Sequence, residues 1–157
     1  MAVITGVHPN VAAFLDMIAW SEGTDNGRQP TRDRGYDVLV GGELFASYQT
    51  HPRKLVRLRP GLCSTAAGRY QLLARYFDYY SALLRLTGFA PIVQDKIALQ
   101  QIRERGALPV IEKGDFAMAI SMVNNIWASL TGAGYGQHEH KLADLQMVFQ
   151  QKGGVVA

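Results

Sequence analysis

The chain has a single cysteine, Cys63, among its 157 residues. That excludes an internal disulfide framework and fits folding in a reducing compartment. A nucleophilic thiol needs a base and a third group to orient it, and Leu62-Cys63-Ser64 supplies neither. No apolar run approaches the roughly 20 residues that cross a bilayer. Met1–Asn10 has no basic n-region, and Asp16 interrupts the apolar residues that follow, so neither a signal peptide nor a membrane anchor is expected. Also missing are a Ser/Pro-rich linker, an internal repeat and any low-complexity tract. With 48% hydrophobic residues the chain can build its own core, and one domain spanning 1–157 is expected.

Metal and serine chemistry lack support in the same way. His138 and His140 are two residues apart, on different faces of any helix, whereas a zinc pair on one helix needs a spacing of three or four. His140 and Asp144 meet that spacing without a third ligand, so no metal or other cofactor is expected. Ser64-Thr65 has neither a nucleophile elbow nor a Ser-x-x-Lys pattern around it. The formal charge is +3, and the densest basic run is Arg53, Lys54, Arg57 and Arg59. No groove-reading helix or stacking sheet accompanies that run, so no nucleic-acid partner is expected.

What is present is Ser21-Glu22-Gly23-Thr24, a lone carboxylate at the end of an amphipathic helix that breaks at once. Phe14, Leu15 and Ile18 recur at helical spacing, and Glu22 continues the 14, 18, 22 row, so it points where the buried side chains point. Partial desolvation and the negative end of the helix dipole both disfavour the anion, the condition a general acid requires. Three glycine-containing segments accompany it, Tyr36-Asp37 after Gly35, Gly68-Arg69-Tyr70-Gln71 and Gly132–Gln137, and their rings and amides suit sugar faces.

The pattern predicts a first helix from an Asn10 cap to Glu22-Gly23 and a short hairpin of Tyr36–Val40 and Glu43–Phe45 about Gly41-Gly42. An apolar helix follows over Gln71–Leu86 with its tyrosines mostly in the core, then one from Pro91 toward Glu104 closed by Gly106 and Pro109. Asp115 caps a helix whose Phe116, Ile120, Val123, Trp127 and Leu130 face inward. Thr131–Gln137 reads as a flap over the cleft, and Leu142, Leu145 and Phe149 build a last helix ended by Gly153-Gly154.

Long stretches of the chain, among them Ala19-Trp20-Ser21-Glu22-Gly23-Thr24-Asp25-Asn26-Gly27-Arg28-Gln29, Ala67-Gly68-Arg69-Tyr70-Gln71-Leu72-Leu73 and Asn125-Ile126-Trp127-Ala128-Ser129-Leu130, resemble the lambda-type phage lysozymes, a family of peptidoglycan lytic transglycosylases. The resemblance runs from about Phe14 to Gly154. It implies an α+β, lysozyme-like fold, mostly helical with a small antiparallel sheet lobe flanking the cleft. It implies Glu22 as the catalytic acid, and Tyr36, Tyr70, Gln71, Tyr135 and Gln137 as the residues that hold the glycan. It further implies a monomeric phage endolysin whose partner is the peptidoglycan strand, accumulating in the host cytoplasm until a holin releases it to the periplasm and cell wall. The basic run around Arg57 would then either steer the enzyme toward the carboxylates of the wall peptides or serve only as a solvated loop that keeps the chain soluble.

Two chemistries stay open on the residues alone. A hydrolytic lysozyme needs a second carboxylate, about 5 Å from the acid as nucleophile or roughly 6.5–9.5 Å away as base. Asp25, Asp33, Asp37 and Glu43 are the candidates. A transglycosylase needs only Glu22, because the attacking hydroxyl belongs to the sugar itself. A glycan-binding relative without catalysis is the third expectation, since a fold alone does not prove activity.

Overall fold

The computed structural model describes residues 1–157. Six helices surround one two-stranded antiparallel sheet: α1 Pro9–Ser21, β1 Val56–Arg59, β2 Leu62–Ser64, α2 Ala74–Leu84, α3 Pro91–Glu104, α4 Leu108–Lys113, α5 Phe116–Val123 and α6 Leu142–Gln151. This is the expected α+β arrangement. No helix is long and apolar enough to cross a membrane.

Helix α1 is the axis of the main core. Phe14 and Ile18 are fully buried, and Phe14 meets Phe116 and Phe149 edge-on with ring centroids 6.1 and 6.3 Å away. The helix packs on α6, α4 and α3. Its cap differs from expectation: His8 Nδ1 accepts from Asn10 N, and Asn10 sits buried in the first turn. There the Asn10 amide donates to the carbonyls of Ile111, Glu112 and Val155 and accepts from Val155 N, tying the C-terminus to α1. A second, smaller core of Leu39, Ala67, Leu72, Phe77, Phe89 and their neighbours lies beneath the sheet lobe.

The regular hairpin is not where the glycine pair suggested. Gly41 and Gly42 do turn the chain with positive φ, and Leu39 N donates to Glu43 O at 2.7 Å, but the flanks form only the isolated bridge between Val38 and Leu44. Their other edge is taken by Ala66–Gly68, where Val40 N bonds Ala66 O and Gly68 N bonds Val38 O. The two-stranded sheet forms instead from the basic run, Val56–Arg59 pairing with Leu62–Ser64 across Pro60-Gly61. Proline followed by a glycine at φ +76° suits a tight turn with a left-handed second corner.

Three helices also depart from expectation. Gln71 adopts φ +51°, which delays α2 to Ala74. Of the α2 tyrosines, Tyr80 is buried, whereas Tyr76 and Tyr79 are 43% and 58% exposed, so the helix lies at the surface rather than within the core. Gly106 ends α3, but Pro109 then stands in the first turn of the additional helix α4, where its missing N–H costs no bond. Helix α5, capped by Asp115 as expected, ends at Val123, and Trp127 and Leu130 reach the core from the turns beyond it.

Candidate active site

Glu22 is the C-cap of α1, and the chain leaves the helix there by a defined route. Gly23 takes φ +77°, its N–H bonds Trp20 O at 3.0 Å and Thr24 N bonds Ala19 O at 3.1 Å. These paired bonds are a Schellman closure, which satisfies the last carbonyls and requires the left-handed glycine. Thr24, buried, adds its hydroxyl to Arg69 O at 2.6 Å and anchors the helix end to the sheet lobe. The carboxyl thus projects at the junction of the helical body and the lobe.

The Glu22 niche is poor in counter-charge. Its cleft, about 390 Å³, is walled by Ser21–Thr24, by the Val38–Gly42 turn, and by Gln71, Ser129 and His138, with no lysine or arginine among the wall residues. Desolvation pushes the Glu22 pKa up from 4.5 to about 7, while Ser129, through its hydroxyl and backbone, pulls less strongly toward the anion. The Ser129 hydroxyl donates to Oε1 at 2.5 Å. Oε2 has no protein partner and is not among the polar atoms buried without one, so it faces the open cleft. That is the geometry of an acid whose proton is available to a bound ligand.

The other carboxylates are committed elsewhere. Asp25 accepts from Arg69 Nη1 at 2.7 Å, and Asp16 from Arg69 Nη2 at 2.8 Å. Burial raises the Asp25 pKa, but the hydrogen bond and charge of Arg69 outweigh it and hold the group below the usual carboxylate range. Asp33 accepts from the Tyr48 hydroxyl, Asp37 from Thr31 and Arg32, and Glu43 from Lys54. None of these five lines the Glu22 cleft. No group of three His, Cys, Asp or Glu side chains converges as a metal site.

The expected glycan-holding residues divide. Gln71 and Gln137 line both the Glu22 cleft and an adjoining cavity of about 360 Å³, and Tyr135 lines that cavity. Gln71 Nε2 donates to Val38 O and Gly68 O, which fixes its side chain. Tyr135, on the Gly132–Gly136 loop, is 57% exposed with its hydroxyl on Asn125 O. Tyr70 borders the cavity, but its side chain is buried and its hydroxyl is turned into the interior to donate to Asp95.

Tyr36 is corrected outright: it is fully buried, lines neither cavity, and donates its hydroxyl to Asp95 Oδ1 at 2.7 Å. Asp95 lies 59 positions away, so nothing local to Tyr36 announces that partner. Arg69 is likewise an interior residue, fully buried with its guanidinium over the Tyr36 and Tyr70 rings. His138, whose sequence neighbourhood suggests at most a metal ligand, stands on the cleft wall.

The loop that carries Tyr135 and Gln137 is secured at its base. Glu139 accepts from the N–H groups of Gly132 and Gly134 at 2.8 and 2.7 Å. His140 packs at a tilt against Trp20, with centroids 4.6 Å apart and planes inclined at 44°, its Nε2 3.2 Å from Ser21 O.

A helical body joined to a small sheet lobe, with one desolvated acid at the junction and an open cleft beside it, defines a lysozyme-like enzyme. Comparison with known proteins agrees. The family model described as Endolysin matches residues 12–156. The chain is 64% identical to the endolysin of Escherichia phage lambda over 144 residues, 92% of this chain and 91% of that one. It is 49% identical to the endolysin of Escherichia phage P2 over 164 aligned positions, 98% and 99% of the two chains. A solved structure of bacteriophage lambda lysozyme complexed with a chitohexasaccharide matches with a TM-score of 0.96 at 60% identity, covering 98% of this chain and 100% of that one. A further structure of lysozyme from bacteriophage lambda matches at a TM-score of 0.91 and 58% identity. The chain belongs to the endolysin family, the peptidoglycan-degrading lysis enzymes of phages.

Proposed function

We propose that the chain acts as a lytic transglycosylase, one catalytic domain over residues 1–157 that cuts the β-1,4 bond between N-acetylmuramic acid and N-acetylglucosamine and leaves a 1,6-anhydro end. The observation that carries this reading is that Glu22 is the only carboxylate on the walls of the cleft and the adjoining cavity. A hydrolase would need a second carboxylate near the scissile bond, and Asp25 is held by Arg69.

Protonated Glu22 donates to the glycosidic oxygen as the bond from C1 to that oxygen breaks. The C6 hydroxyl of the same muramic acid attacks C1, and its proton passes to the Glu22 carboxylate, which restores the acid. One group serves twice because the nucleophile is tethered and needs no activated water, an arrangement of large effective molarity. A pKa of about 7 suits both roles near neutral pH. Gln71, Tyr135 and Gln137 hold the strand, with Tyr70 supporting them from behind. The monomer reaches the wall from the host cytoplasm by holin-dependent release.

Digestion of sacculi in ¹⁸O water tests the chemistry. The expected product has muramoyl ends lighter by one water, free of ¹⁸O and resistant to borohydride. Labelled, reducible ends as the main product would establish a muramidase instead.

A further inference from the structure

The cavity beside the Glu22 cleft carries two arginines with no acidic partner. Arg75 and Arg105 both line it, and no Asp or Glu stands on its walls. Neither arginine takes part in any ion pair of the chain, in contrast to Arg53 and Lys54 of the sheet lobe, which are neutralised by Asp78 and Glu43. Both are oriented by neutral groups. The Arg75 guanidinium lies over the Tyr76 ring at 4.9 Å, and Arg105 Nε donates to Asn125 Oδ1 at 3.1 Å. Glu104, next to Arg105 in sequence, accepts instead from the Tyr80 hydroxyl and Gln100.

Gln71, Ala128 and Gln137 are shared by both walls, so the cavity opens onto the cleft of the acid. The two halves differ in charge. The Glu22 side is free of lysine and arginine, which preserves the raised pKa of the acid, and the neighbouring side holds both unpaired guanidiniums.

We propose that this cavity, which borders the glycan through Gln71, Tyr135 and Gln137, also takes the stem peptide, with Arg75 and Arg105 binding carboxylates of the peptide that peptidoglycan carries on its muramic acid residues. The proposal rests on the glycan-cleaving reading above. An uncharged sugar gives two guanidiniums nothing to neutralise, whereas planar guanidinium matches carboxylate in paired, charge-assisted hydrogen bonds. A cavity of about 360 Å³ falls within the range of small-ligand sites. Leu73, Tyr76 and Ile126 offer apolar wall to the alkyl portions of a short peptide. The enzyme thereby prefers peptide-bearing strands to bare ones.

The test compares intact peptidoglycan with the same strands stripped of peptide by an amidase and then amidated at the lactyl carboxylates this exposes, so that the stripped strand carries no charge. Each is digested by the wild type, by Arg75→Ala with Arg105→Ala, and by Arg75→Lys with Arg105→Lys. The alanine pair is expected to raise KM for the peptide-bearing strand about tenfold with kcat unchanged. The lysine pair recovers part of the loss, and all three cut stripped strands equally. Equal loss on both substrates, or loss on neither, overturns the proposal. A second measurement separates it from the chemistry: the amidase-released peptide is titrated into each protein while the arginine Nε–H resonances are followed. Saturable binding that disappears in the alanine pair supports the site even if cleavage follows another route, and no binding to the wild type overturns it.

Discussion

Glu22 and Asp25 are three residues apart, both partly buried, and their acidities are shifted in opposite directions. Glu22 ends α1 facing a cleft without cations, with the Ser129 hydroxyl as its one close hydrogen-bond donor. Asp25 lies just past the Schellman closure, 2.7 Å from the buried Arg69 guanidinium and 4.0 Å from the N-terminal ammonium. Burial raises both carboxyls, so burial alone does not separate an acid from a counter-ion. The cation does: desolvation left uncompensated keeps a proton on Glu22, and the same desolvation answered by Arg69 keeps it off Asp25.

The strongest way to break that contrast is to remove each partner in turn. Glu22→Gln is expected to lower glycan cleavage by about 10²–10⁴-fold with the fold intact, as the loss of a positioned acid and base does. Near-normal turnover in a folded variant would remove Glu22 from the mechanism. Arg69→Met leaves Asp16 and Asp25 without their shared cation, and unfolding in urea should show a loss of about 3–5 kcal/mol, the usual result of breaking a buried ion pair from one side. A loss near zero would mean that water or the N-terminus replaces the arginine.

Next in size is a pH effect. The folded-state pKa of Glu22 lies above its unfolded value, so ionisation costs stability in the native protein. The wild type should therefore lose ground to Glu22→Gln as pH rises from 4.5 to about 7 and hold a constant deficit beyond. That deficit is on the order of 3 kcal/mol. Urea midpoints at pH 4.5 and pH 8 check it, and parallel curves would place the carboxyl in water. Over the same range kcat/KM should fall above about pH 7, as the protonated form is depleted. The smallest effect belongs to Asp25→Asn, whose cleavage rate in the folded variant is expected within about two- to threefold of wild type. A loss of about 10²-fold would make Asp25 a participant and favour the hydrolytic mechanism.

The helices with strong local signals were legible: the 14, 18, 22 row, the Pro91 start of α3, the Asp115 cap of α5 and the Leu145/Phe149 face of α6 each depend on residues within a few positions. The sheet lobe was not. Gly41-Gly42 correctly marked a turn, but whether its flanks become strands depends on the Ala66–Gly68 segment that claims their outer edge. Val56–Arg59 and Leu62–Ser64 pair across Pro60-Gly61, a hairpin signal that the charge of Arg57 and Arg59 masks in the hydrophobic pattern. In α2 the apolar character of tyrosine suggested burial, while Tyr76 and Tyr79 lie on the solvent face and only Tyr80 and Phe77 reach inward.

The amino-acid sequence by itself determined that a carboxylate closes an apolar helix and that glycine follows it, because helical periodicity and the left-handed requirement of the closure are local. It also offered the glycine-containing segments whose Gln71, Tyr135 and Gln137 line the cleft or its adjoining cavity, but on the same footing it offered Tyr36, which the fold buries. Only the tertiary structure decided that Tyr36 serves Asp95 and that Arg69 joins Asp16 to Asp25. It also decided that Ser129, 107 positions from Glu22, donates to the acid. The physical reason is one of range. Dihedral preference and burial pattern act over a turn or two of chain, whereas a buried charge takes its state from whichever groups the fold brings within a few ångströms, at any separation in sequence.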